Sequence, residues 1–162
     1  MTEQQKREAV LRRVEKPGQY VGSEYGQIVK DDRDVRMRVA FCFPDKYEIG
    51  MSNLGLRILY ECLNRTEGVQ CERAFAPWPD MDAEMRAHGL PLATIETGRR
   101  LDAGEIVAFT LQYELCYTTA LHMLKLAGIP LLSAERGEDA PIILGGGPCT
   151  YNAEPVADFF DL

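Results

Sequence analysis

The stretch Pro141-Ile142-Ile143-Leu144-Gly145-Gly146-Gly147-Pro148 decides the fold. Its first half is short, apolar and partly β-branched, the pattern of a buried strand. Its second half is three glycines, which let the backbone turn sharply and approach a ligand with no Cβ in the way. In an open α/β sheet, the carboxyl end of a strand is where ligands bind. Two readings stand for the glycines: a turn that needs them for local reasons, or the rim of a ligand site in a doubly wound domain.

Working outward, the same strand-then-loop pattern recurs. Residues 35–43 begin by alternating and end continuously apolar, as a central strand does, and Pro44 ends them. Residues 69–76 alternate and read as a second strand; residues 105–111 read as a third. Between them, Leu54, Leu56, Ile58, Leu59, Tyr60 and Leu63 fit a helix closing near Asn64. Asp80 is placed to cap a helix over 81–88 that Gly89 ends. A helix over 117–126 ends at Gly128, residues 92–95 suggest a short edge strand, and 154–159 a short helix. Strands alternating with helices through short loops imply a mostly parallel sheet covered on both faces. The expectation is an α/β, flavodoxin-like or Rossmann-type doubly wound sheet of order 2-1-3-4-5. Its last strand is expected to be cut short at Asp161-Leu162, the chain being one piece of a longer protein. Residues 1–34 form a charged helix, stopped by Lys16-Pro17-Gly18, and an irregular arm; residues 35–162 form the α/β domain.

Composition narrows the function. The chain has 162 residues, is 46% hydrophobic and 27% charged, and carries a net charge of −7. These are values of a globular domain, and the negative charge argues against general nucleic-acid binding. No apolar run is long enough to span a bilayer, and the charged N-terminus lacks a secretory signal. Five cysteines, at 42, 62, 71, 116 and 149, form neither C-x-x-C nor C-x-x-x-C-x-x-C. They point to a reducing, cytoplasmic setting with no disulfide framework, zinc site or iron–sulfur site. Cys42 and Cys62, in apolar segments, read as buried thiols.

Three loops leave predicted strand ends: 44–55, 110–117 and 145–152. They carry Asp45, Tyr47, Glu48, Ser52 and Asn53, then Thr110, Gln112, Tyr113 and Tyr117, then Gly145, Gly146 and Gly147. Amides, hydroxyls and aromatics dominate, which suits a large, uncharged or amide-rich ligand better than a bare phosphate. Asp45 and Glu48 offer an acid/base pair or, at a helix start, caps. Tyr113 and Tyr117 stand at packing distance along a helix. His88 and His122 lie on helices, where capping or a solvent-facing role is the simpler reading. The chain lacks G-x-G-x-x-G, G-K-[ST] and G-x-S-x-G motifs.

With these segments assembled, the chain resembles the N-terminal cobalamin-binding-type domain of radical S-adenosylmethionine (SAM) proteins, in a bacterial subfamily. The resemblance rests on segments 14–20, 75–81 and 109–115, and on Gly145-Gly146-Gly147-Pro148-Cys149, and it covers nearly the whole chain. It implies a downstream radical SAM domain as partner, which would hold the 4Fe–4S cluster and SAM. Asp45-Lys46-Tyr47-Glu48-Ile49-Gly50 has the spacing of the D-x-H-x-x-G motif of such domains, with tyrosine in place of the histidine. A phenol with a pKa of about 10 is a poor neutral ligand for cobalt, so cobalamin would be held without a protein nitrogen. Thr110 and Gly145-Gly146 match the second and third motifs. The matched motif positions, together with the other residues of the three loops, give an expected cofactor-binding set of Asp45, Tyr47, Gly50, Ser52, Asn53, Thr110, Gln112, Tyr113, Gly145, Gly146 and Gly147. Such a module would hold cobalamin or shape the active-site channel, and by itself would not be catalytic. Two rival classes are a cofactor-free interaction domain of the same fold and a flavin- or nucleotide-binding flavodoxin-like domain.

Overall fold

A computed structural model describes residues 2–162. Helix α1 (Glu3–Leu11) starts from a Thr2/Gln5 capping box. Strand β1 (Met37–Phe43) is followed by α2 (Tyr47–Ser52), α3 (Leu54–Arg65), β2 (Val69–Phe75) and α4 (Pro79–His88). Strand β3 (Ile106–Thr110), α5 (Tyr117–Ala127) and β4 (Ile142–Gly146) complete the regular elements. The four strands are parallel, in the order β2-β1-β3-β4, as expected from the sequence. Beyond β4, the Leu162 N–H donates to Ile143 O at 3.4 Å, and Leu162 O accepts the Gly145 N–H at 2.8 Å. That is the bonding of a parallel neighbour, in the place expected for a fifth strand. The Arg136 side chain, 4% exposed, fixes this segment through Asp161 at 2.9 Å.

Each sheet face has its own core. Val39, Phe41, Phe43, Leu56, Tyr60, Cys71 and Phe75 pack under α2 and α3, while Cys42, Val107, Phe109 and Ile143 pack under α1, α4 and α5. Helix α3 shows why the sequence folds this way. Asn53 accepts the Leu56 N–H at 2.9 Å and caps it; Leu56, Tyr60 and Asn64, one turn apart, face the sheet. Full burial of Leu56 contributes about 2 kcal/mol. Asn64 holds β2 by bonding both the N–H and the O of Cys71 at 3.0 Å. Helices α4 and α5 stop at Gly89 (φ 59°) and Gly128 (φ 76°), left-handed caps that favour glycine.

Residues 2–34 pack onto this sheet. Helix α1 lies along α4, with Lys6 donating to His88 O at 3.2 Å. The arm runs over the α3 side, where Gln70 accepts from Lys30 N at 2.8 Å and donates to Ile28 O at 2.9 Å.

Several expectations are corrected. The 44–55 segment is not all loop, because α2 occupies Tyr47–Ser52. Residues 92–95 form no edge strand; apart from one antiparallel bridge, Ala93 to Arg100, residues 90–100 are a strap across β2. Trp78, not Asp80, is the N-cap of α4, since Pro79 opens the helix; Asp80 instead accepts the Glu15 N–H at 2.8 Å. Gly145 and Gly146 belong to β4, so the turn begins at Gly147. Residues 154–159 form a 3-10 helix. Cys42 is buried as expected, but Cys62 is exposed on the outer side of α3.

Candidate functional site

In a parallel sheet every strand delivers its following loop to one edge, so the loops after β1, β3 and β4 meet there. The meeting is close. The Tyr113 hydroxyl donates to the Asp45 carboxylate, tying the β3 loop to the β1 loop. That bond, ahead of desolvation, pushes the Tyr113 phenol up to about 12. Gln112 donates to the Thr110 hydroxyl at 2.5 Å, and Thr110 itself is 8% exposed. The Leu111 N–H donates to Gly146 O at 2.6 Å and Leu111 O accepts the Cys149 N–H at 3.1 Å, joining the β3 and β4 loops.

The three glycines do different work. Gly147 has φ +103°, and a Cβ there would stand 2.8 Å from Leu111 O. Gly145 lies under Phe160, whose ring would be 3.2 Å from a Cβ. Phe160 in turn sits edge-on to Phe109 at 5.9 Å. A Cβ on Gly146 would meet only Phe109 O, at 3.8 Å.

The structure brings together Asp45, Thr110, Gln112, Tyr113 and the glycines, but turns other expected site residues elsewhere. The Tyr47 ring packs edge-on to Phe75 at 5.5 Å, and its hydroxyl donates to Glu24 of the arm. Burial, then Glu24, pushes this phenol up to about 12. Gly50 is buried, and a Cβ on it would lie 2.3 Å from the Phe75 ring; it is the contact that lets α2 approach the sheet. Ser52 donates to Ile49 O at 2.8 Å, and Asn53 is the cap of α3. Tyr113 and Tyr117 do not share a partner: the Tyr117 hydroxyl donates to Cys149 O at 3.4 Å. Both histidines sit away from this edge, His88 beside Glu84 at 3.2 Å and His122 beside Asp82 at 2.7 Å.

One cluster was not visible from spacing. Lys16 and Lys46 stand 4.2 and 4.0 Å from the Trp78 ring centroid, and the indole N–H donates to Glu48 at 3.3 Å. Lys16 also meets Glu48 at 2.8 Å, so the cluster joins the arm to the loops after β1 and β2. The available signal was the single tryptophan, clamped between Pro77 and Pro79. Asp45 and Glu48 are thus separately engaged and form no acid/base pair. The Lys16 ammonium, first among several donors, holds the Glu48 carboxyl down at about 2. Because the folded value is depressed, the stabilisation is present above the ordinary carboxylate pKa and is lost as pH falls toward 2. Accordingly, the melting-temperature gap between wild type and Glu48→Gln should narrow as pH is lowered through this window. A gap independent of pH would contradict the assignment.

At the rim, large apolar side chains face solvent: Ile49 is 48% exposed, Leu54 67%, Leu115 84% and Tyr151 100%. Among the described residues, no three His, Cys, Asp or Glu side chains form a group able to hold a metal ion. No helix among them is long and apolar enough to cross a membrane.

The fold and this edge define a doubly wound parallel α/β domain whose loop rim is closed by its own side chains and apolar on the outside. A family model for the N-terminal region of radical SAM proteins matches residues 55–162, more than half of the chain, and the chain belongs to that family. No curated protein and no solved structure gives a significant match.

Proposed function

We propose that this chain is the N-terminal module of a radical SAM enzyme and that its loop rim seats the downstream radical SAM domain and shapes the channel to the active site. The downstream domain would carry the iron–sulfur cluster and SAM; the scattered thiols here offer no cluster site. The observation that carries the reading is the rim itself, where Ile49, Leu54, Leu115 and Tyr151 are exposed above loops bonded to one another. Exposed apolar groups gathered on one edge mark a protein contact.

Cobalamin is the other service such a module performs, and the residues present fit it poorly. Tyr47 is engaged with Glu24, Gly50 is filled by Phe75, and Phe160 lies over Gly145. Thr110 lies beneath Gln112. We therefore favour channel-shaping without a cofactor over cofactor-holding.

Two measurements test this. Hydrogen exchange should show stronger protection of 44–55, 110–117 and 145–152 in the full radical SAM enzyme than in this chain. Leu115→Asp with Tyr151→Asp should erase the difference; equal protection in both proteins would overturn the docking. Titration with hydroxocobalamin should give no saturable uptake. Tight uptake abolished by Gly146→Val would restore the cofactor-holding reading.

A further inference from the structure

Beside the edge strand β2, and distinct from the loop rim, lies a cavity of about 560 Å³ bounded by α1, residues 19–21, α4 and the strap at 90–98. Its volume is in the range of small-molecule sites. Met81, Met85, Leu90 and Leu92, all buried, give it an apolar floor. Methionine side chains adapt readily to irregular apolar shapes.

The charged side chains of the wall are Glu3, Arg7 and Glu8 from α1 and Glu96 from the strap. Glu96 is taken up by Arg73 at 2.6 Å, and Glu3 and Glu8 are exposed. Arg7 differs from these. It is half-buried, and no carboxylate among the described residues pairs with it, not even Glu3 one turn away. One Nη donates to Tyr20 O at 2.9 Å. The Nε and the second Nη donate to no group among the described residues, yet neither is sealed off from solvent. Gly98 (φ +70°) makes room for that second Nη, since a Cβ there would come within 2.4 Å of it. Burial pulls the guanidinium below its usual pKa, against the opposing effect of Glu3. The cavity wall thus holds a partly desolvated cation with free donors and no counter-charge, and an incoming anion relieves that cost.

A guanidinium presents several N–H donors and suits a carboxylate. The floor beyond it is apolar and accepts a hydrocarbon body. Glu3 and Glu8 oppose a second negative charge on the ligand. We propose that this cavity binds an apolar monocarboxylate, with the carboxylate on Arg7 and the hydrocarbon body on the floor of Met81, Met85, Leu90 and Leu92.

Titration calorimetry and methionine-methyl NMR on the 162-residue chain test this, with octanoate as the probe. Octanol tests the need for the charge. Suberate, the dicarboxylate of the same length, tests the cost of a second one. Octanoate should bind saturably and move the Met81 and Met85 methyl signals, while that of Met37, on β1 and 41% exposed, stays still. Octanol should bind about tenfold more weakly, the worth of a charge-assisted hydrogen bond to Arg7. Suberate should bind at least as weakly as octanol, since its second carboxylate would enter the apolar floor. Arg7→Met should bring octanoate down to the octanol level. Arg7→Lys keeps the charge and loses the fork; it should weaken binding about threefold, and it carries the test if Arg7→Met folds poorly. No saturable binding of octanoate at millimolar concentration would overturn the proposal. So would octanol or suberate binding as tightly as octanoate, methyl shifts that spare Met81 and Met85, or affinity untouched in whichever Arg7 variant folds.

Discussion

Arg73→Met is expected to lower the stability of this chain by about 3–5 kcal/mol, the cost of removing one partner from a buried ion pair. Arg73 on β2 and Glu96 on the strap meet at 2.6 Å, with side chains 5% and 0% exposed. Glu96 also accepts the Arg73 backbone N–H at 2.6 Å. The guanidinium lies 4.2 Å above the Tyr60 ring and reaches Met51 Sδ at 3.3 Å. Without it, the carboxylate is left in the core with no counter-charge.

Burial already pushes the Glu96 carboxyl up, outweighing the opposing pull of Arg73. A raised folded pKa gives stability that is present below the ordinary carboxylate pKa and lost as pH rises through the folded value. The deficit of Arg73→Met should therefore be largest near neutral pH and smaller in acid, where Glu96 is protonated. Urea unfolding at the two pH values measures both effects. A loss below about 1 kcal/mol, as for an exposed pair, would show that the strap is not pinned by this contact. The double change Arg73→Met with Glu96→Leu should recover much of the loss, because no uncompensated charge remains.

The second large effect is expected at Gly147. Alanine there must adopt φ near +103° and bring its Cβ within 2.8 Å of Leu111 O and 3.1 Å of Leu111 N. Left-handed strain and a clash with backbone that cannot rotate away together cost about 2–4 kcal/mol. Gly146→Ala, whose Cβ meets only Phe109 O at 3.8 Å, should cost less than about 1 kcal/mol. Chemical denaturation of the two variants side by side decides the matter; equal losses, or the reverse order, would refute this division of roles. Sequence reading treats the three glycines alike, whereas the backbone makes one a turn, one a surface for Phe160, and one a tolerant strand residue.

The helix stops at Gly89 and Gly128, and the four strands, follow from local rules. A left-handed cap favours glycine wherever it occurs, and a short, partly β-branched run such as Ile142-Ile143-Leu144 suits a parallel strand. Strand β4 is less buried than expected, however: Ile143 is buried, Leu144 half-buried and Ile142 46% exposed. The candidate site is less legible. Asp45, Tyr113 and the glycines converge because parallel topology sends their loops to one edge, and that follows from the order of elements alone. Tyr47 and Gly50 have the motif spacing, yet they face the arm and Phe75. Which way Tyr47 faces is set by the partner its hydroxyl finds, here Glu24, 23 residues earlier.

The sequence by itself determined the parallel α/β class, the strand order and the position of the loop edge. Each rests on periodicity, chain punctuation and the handedness of strand–helix–strand connections, which act over short stretches. Only the tertiary structure decided that β2 is buried on both faces. Its alternating Gln70, Glu72 and Ala74 suggest one wet face, but Gln70 is 2% and Glu72 3% exposed. The arm takes up Gln70, and Thr97 of the strap donates to Glu72 at 2.6 Å. Alternation records which positions are polar; whether water or a distant segment satisfies them depends on where the rest of the chain lies.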